Sequence, residues 1–117
     1  MPIFSDWDIV KVPFPYTDRP VRQRRPALVV ATGGALAEHG LLWVLMITSA
    51  ENSGWPGDIE VTDFTKAGLP AASVVRTAKI ATIEAREAER IGSLPAKERV
   101  QVAASLQDLL PLIATAS

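Results

Sequence analysis

Nine prolines and seven glycines cut the 117 residues so finely that no long helical window survives before residue 95. Proline removes a backbone donor and blocks a helix interior, and glycine weakens one by about 1 kcal/mol. Everything before that point must therefore be built from short elements, and strands suit it best. The length fits one domain, residues 1–117, able to bury roughly two thirds of its unfolded surface without staples. Cysteine is absent, which excludes disulfide scaffolds, zinc ribbons and thiol nucleophiles.

Five stretches read as strands. Asp8 to Val12 mixes polar and apolar residues as a half-buried strand does, Ala27 to Ala31 ends at Gly33 and Gly34, and Leu41 to Thr48 is bulky enough to be buried on both faces. Asp58 to Val61 alternates again after the turn cluster NSGWPG, and a β-branched run follows within Ser73 to Ile83. Asp63 to Leu69 suits one helical turn ended by Gly68. Propensity favours a short helix over Glu84 to Arg90. Past Gly92, Ser93 suits an N-cap and Pro95 the first turn of a helix. Its apolar stripe is Val102, Leu106, Leu109 and Ile113, flanked by Ala103 and Leu110, with Pro111 ending or kinking it. The expected architecture is mainly β (α+β): a small barrel or strongly bent sheet with a C-terminal amphipathic helix against it.

The N-terminus has no basic region and meets Asp6 and Asp8, unlike a signal peptide. The longest apolar run, Leu41 to Ile47, is far short of the roughly 18 residues that cross a bilayer. A soluble, cytoplasmic protein without a membrane partner is expected.

Formal net charge is −1, with 12 Lys+Arg against 13 Asp+Glu, so nucleic acid cannot be held by bulk positive charge. A local patch could hold it. Arg19, Arg22, Arg24 and Arg25 fall within seven positions with no acid among them, in the long loop read between Pro13 and Arg25. Guanidinium groups grip phosphate bidentately, although such a run also serves merely as a solvated loop. Arg25 precedes Pro26 and is held extended, which aims its side chain better than its neighbours'. Thr48 and Ser49 close a rigid strand, where a hydroxyl can meet a phosphate oxygen or simply finish a turn. Trp55, in an exposed turn, suits base stacking; Trp43, inside an apolar run, reads as core, and Trp7 is a weaker stacking candidate. His39 is the single histidine, in a loop, so neither a two-histidine ribonuclease nor a multi-histidine metal site can be assembled. Glu84, Glu87 and Glu89 read as a solvated face set apart from the arginines.

In order, the blocks DIVKVPFPYTD, RRPALVV, LMITS, GDIEV, KAGLPAASVVRTAKI and IGSLP, followed by the amphipathic helix, resemble the PemK/MazF family of type II toxin–antitoxin toxins from about Asp6 to Leu110. That resemblance implies an SH3-like β-barrel of five to seven short strands and a homodimer. It further implies a metal- and cofactor-independent, sequence-preferring endoribonuclease that arrests growth and is silenced by a cognate antitoxin with an acidic C-terminal segment. The family's catalytic Arg falls on Arg25, with acid/base and charge-stabilising work, and its phosphate-holding Thr on Thr48. Single-stranded RNA would supply its own 2′-hydroxyl as nucleophile, leaving a 2′,3′-cyclic phosphate and a 5′-hydroxyl. Arg19, Arg22, Arg24, Ser49, Trp55, Arg76 and Lys79 are candidate RNA contacts. The family also implies a short strand within Glu89 to Leu94, against the helix that propensity favours. This chain departs from the family at Trp7, where glycine usually precedes the acid of the first strand. The competing function is a non-catalytic binding module on the same barrel, either a degenerate toxin paralogue or a gyrase-inhibitor-like toxin.

Overall fold

A computed structural model describes residues 3–13 and 24–109. Arg19, Arg22, Leu110, Pro111 and Ile113 lie outside them. The described residues form six strands: β1 (Asp8–Pro13), β2 (Arg24–Ala31), β3 (Leu41–Ser49), β4 (Asp58–Val61), β5 (Ser73–Glu84) and β6 (Glu89–Ser93). A short helix α1 (Ala35–Glu38) links β2 to β3, and α2 (Ala96–Leu109) follows β6. All strand pairs are antiparallel in the order β4-β5-β3-β2-β1-β6, curled into a half-barrel.

The core is double. On one face Val10, Val12, Ala27, Val29, Val44 and Met46 pack with Phe4 and Ile83; on the other Ile9, Leu28, Leu45, Ile47 and Val75 pack with Leu94 and with Val102 of α2. Successive residues of β1, β2 and β3 thus feed opposite clusters, as the pleat requires. For that reason β1 is buried on both faces, with only Lys11 exposed among Asp8–Val12, rather than half-buried.

The sheet's two edges, β4 and β6, are not hydrogen-bonded to each other. They are joined instead by the turn after β4. Gly68, at φ +85°, lies against the Ile91 carbonyl, and Gly92 lies against the Ala67 carbonyl; a Cβ on either would collide with backbone. The turn is closed by Ala67 N to Asp63 O (3.1 Å) and Leu69 N to Phe64 O (2.9 Å). It is the single helical turn read from Gly68. Helix α2 then packs on β4 and β5. Glu98 fastens it: Oε1 accepts from the amide (2.8 Å) and the hydroxyl (2.6 Å) of Thr62.

Several expectations are corrected. Residues 84–90 are not one helix but the end of β5, a 3-10 turn (Ala85–Glu87) and the start of β6, the order that the family resemblance implies, because pairing with β1 outweighs propensity. Ser93 is a β6 residue instead of a helix cap, and the Pro95 carbonyl takes the first α2 bonds, from Glu98 N (3.1 Å) and Arg99 N (3.3 Å). The stripe on α2 is buried only at Val102 and partly at Leu106, while Leu109 is exposed. Trp43 is 38% exposed and not core: its cross-strand neighbours are the small Ala31 and Thr82.

Trp7 takes the place of a glycine in conformation as well as in sequence. Its φ is +79°, a left-handed geometry that costs a side chain roughly 1–2 kcal/mol. Surroundings hold it there: Trp7 N donates to Val29 O (2.7 Å), Leu94 N donates to Trp7 O (2.8 Å), and the ring packs against the α2-side core. Asp8 completes the turn by accepting from Ser5 N (2.9 Å) and from Arg90 Nε (3.1 Å). Trp7 is thus a packing residue.

Candidate functional site

Strand register assembles the site. Val12 faces Arg25 across β1 and β2, and the β2–β3 pairing runs from Ala31 with Trp43 to Ala27 with Met46; Arg25 and Thr48 lie two residues beyond that last pair, where the same register, continued, would set them opposite each other. Thr48 in turn faces Val74 on β5, and Val74 faces Glu60 on β4. Cross-strand partners share a face, so Thr48, Val74 and Glu60 form one row along the rim of the sheet, acidic at its β4 end, and the continued β2 register adds Arg25 at the other, basic end. The row behind it is Met46, Arg76 and Asp58.

Arg25 is half-buried with its Nε wholly so, and Thr48 is 6% exposed. Asn52 Nδ2 donates to Thr48 Oγ1 at 3.1 Å, filling an acceptor position and leaving the hydroxyl proton to be given to another group. Ser49 points to the opposite side of β3, where its Oγ caps a 3-10 turn (Ala50–Asn52) by accepting from Glu51 N (3.3 Å). That turn carries Asn52 over the strand end. The signal for Asn52 was present in the sequence, four residues past Thr48, yet only the turn shows that it reaches back.

Arg76 is buried, at 6% exposure, and fully engaged. Its Nε donates to Asp58 Oδ1 (3.2 Å), and its Nη2 to Asp58 Oδ2 (3.0 Å) and to Asn52 O (2.6 Å), while its guanidinium lies 4.2 Å from the Trp55 ring centre. Asp58 Oδ2 also accepts from the amides of Gly54 and Trp55, both at 3.2 Å. Burial alone would raise the Asp58 pKa, but Arg76 and these amides hold it below the ordinary carboxylate value. Arg76 therefore organises the loop that carries Trp55 and Asn52. Trp55 itself is 48% exposed beside a cleft of about 400 Å³ lined by Ser53, Asp58, Glu60 and Val74.

The other candidates lie elsewhere. Arg24 and Arg25 begin β2 instead of ending a loop, so the pleat turns Arg24 away from Arg25. Arg24 Nη2 donates to Lys11 O (3.1 Å) and Glu87 O (3.3 Å) and lies 3.8 Å from Glu89, its side chain reaching over β1 towards β6. Arg24 is thus not set apart from the acids. Lys79 is half-buried in the β5 bulge, between the pairs Leu45 with Ile80 and Met46 with Arg76, and does not join the row. His39 caps the C-terminus of α1, exposed. No described helix is long and apolar enough to cross a membrane.

Residues 5–110 match the family described as PemK-like, MazF-like toxins of type II toxin–antitoxin systems. Solved structures share the fold. MazF from Deinococcus radiodurans (Form-I) superposes with a TM-score of 0.75 at 24% identity, over 95% of this chain and 99% of that one. The MazE–MazF structure from the same organism (Form-II) gives 0.73 at 23%, over 94% and 97%. An endoribonuclease in complex with its cognate antitoxin, from a mycobacterial species, gives 0.68 at 15%, over 92% and 94%. No curated protein matches the chain.

Proposed function

The chain belongs to the PemK-like, MazF-like toxins of type II toxin–antitoxin systems, and we propose that it acts as a metal-independent endoribonuclease on single-stranded RNA, with Arg25 and Thr48 as its catalytic pair. The observation that supports this reading is the β2–β3 register, which, continued two residues past Ala27 and Met46, would bring Arg25 across from Thr48 at the strand rim. Strands roughly 4.8 Å apart bring a permanent cation and a hydroxyl proton to the two sides of one phosphate. The RNA 2′-oxygen attacks phosphorus, the bond to the 5′-oxygen breaks, and the net proton passes from the 2′-hydroxyl to the departing 5′-oxygen. The products are a 2′,3′-cyclic phosphate and a 5′-hydroxyl. Negative charge that grows on the non-bridging oxygens is met by the Arg25 guanidinium and by the Thr48 hydroxyl, which Asn52 orients. Arg19 and Arg22 would contact the RNA backbone and Trp55 its flank; Arg24, Ser49 and Lys79 lie off the row and take no part, and Arg76 contributes by holding Trp55 and Asn52 in place.

Membership of a toxin–antitoxin family supports inhibition by a cognate antitoxin, whose acidic C-terminal segment would cover the arginines; a homodimeric toxin working in the cytoplasm completes the proposal. The test is cleavage of single-stranded RNA by purified protein in EDTA. Cyclic-phosphate ends are expected, with Arg25→Ala slower by on the order of a hundredfold or more at unchanged melting temperature. Cleavage that requires added metal, or that survives Arg25→Ala, overturns the mechanism. RNA binding without cleavage would assign the fold to the non-catalytic alternative.

A further inference from the structure

The acidic end of the row has no part in that chemistry. Glu60 lies two strands from Thr48, roughly 10 Å away, on the same face. It is exposed and makes no hydrogen bond or ion pair among the described residues, whereas Asp58 beside it has both oxygens occupied by Arg76 and by the Gly54 and Trp55 amides. Glu60 is therefore the carboxylate of this cleft with lone pairs to offer. Trp55 lines the same cleft, its ring backed by the Arg76 guanidinium and nearly half exposed. Val74 contributes an apolar wall between Glu60 and Thr48.

A carboxylate repels phosphate, so a polyanion crossing this row places its phosphate toward Arg25 and a base toward Glu60. An aromatic platform accepts any base by stacking, and the carboxylate adds discrimination. Only guanine presents two adjacent N–H donors, N1–H and the N2 amine, to two carboxylate oxygens. Cytosine and adenine offer one amine beside a ring acceptor, and the uracil N3–H is flanked by two carbonyls that a carboxylate repels.

We propose that Trp55 and Glu60 form a guanine subsite one step from the scissile phosphate, a proposal that rests on the nuclease reading above. Trp55 stacks on the base, Glu60 accepts from its Watson–Crick edge, and Arg76 with Asp58 keeps the platform rigid.

Cleavage mapping on RNA of random sequence should show guanine enriched at one fixed position beside the cut. Inosine there, which lacks only the N2 amine, should lower kcat/KM by about tenfold, the usual size of one lost base-edge contact. In Glu60→Gln the guanine-to-inosine ratio should fall to about one, while Trp55→Ala should weaken all four bases alike. A wild type indifferent to guanine, or a preference that survives Glu60→Gln, overturns the subsite. Binding of all-2′-deoxy oligonucleotides, read by fluorescence anisotropy, separates the two proposals because it needs no cleavage. Guanine selectivity that depends on Glu60 without any RNA cleavage retains the subsite and removes the nuclease; cleavage without selectivity does the reverse; neither cleavage nor selectivity removes both.

Discussion

Arg76 and Glu98 are both almost wholly buried charges, 6% and 1% exposed, yet their surroundings differ. Arg76 has a carboxylate, a backbone carbonyl and an aromatic face around it, and it serves the site. Glu98 serves the seam between the sheet's edges, and only one of its oxygens is satisfied; Oε2 is buried with no hydrogen-bond partner among the described residues. A charge with complete partners fixes a loop that has no core of its own. The half-satisfied one can be tolerated because Val102 and Leu94 already hold α2 against the barrel.

The seam is easiest to break through its backbone. Gly92→Ala puts a methyl group into the Ala67 carbonyl, and the two edges must separate; a loss of about 4 kcal/mol or failure to fold is expected in urea denaturation. Next in size is Arg76→Ala, which strands Asp58 without its cation and should cost about 3–5 kcal/mol, with RNA cleavage falling at the same time because Asn52 and Trp55 lose their anchor. Arg76→Lys keeps the charge but not the fork, and should recover stability better than it recovers cleavage. Glu98→Gln is smaller, about 1 kcal/mol, since the amide oxygen can still accept from Thr62; activity should be unchanged.

The smallest effect is in pH. For both Asp58 and Glu98 burial acts to raise the pKa, but Arg76 with two amides at the first, and the Thr62 hydroxyl and amide at the second, bring each below its ordinary value of 3.8 or 4.5. A carboxylate depressed in the folded state adds stability above its unfolded pKa and loses it as pH falls through the folded one. The melting temperature should therefore be flat at neutral pH and decline below about pH 4. Glu98→Gln should make that decline shallower; an identical acid branch would remove Glu98 from the account.

Much of the fold is legible in sequence because its signals are local. The extended runs that become β1, β2, β3 and β4, the left-handed turn at Gly68 and the closing helix each follow from neighbours within a few positions. The Glu84 to Arg90 segment was legible only through family resemblance, since its residues favour a helix and their pairing with β1 is made about eighty positions away. Trp43 misleads for a related reason. An apolar run marks a strand but does not state that Trp43 will have only the small Ala31 and Thr82 as its cross-strand neighbours. The settings of Arg25 and Thr48, before a proline and at a strand end, make them candidates, but only the family resemblance singles them out as a pair, and the engaged state of Arg76 was not legible at all.

By itself, then, the sequence determined a cysteine-free, mainly β fold with a terminal helix, and a short inventory of cations, hydroxyls and aromatics. Which of these meet was decided by the tertiary structure. Antiparallel register joins positions 26 residues apart in Thr48 and Val74 and 14 apart in Glu60 and Val74, and the pleat sends Arg24 and Ser49 to the other side. Residue types are chosen one at a time, but a row across four strands exists only once every pairing beneath it has closed.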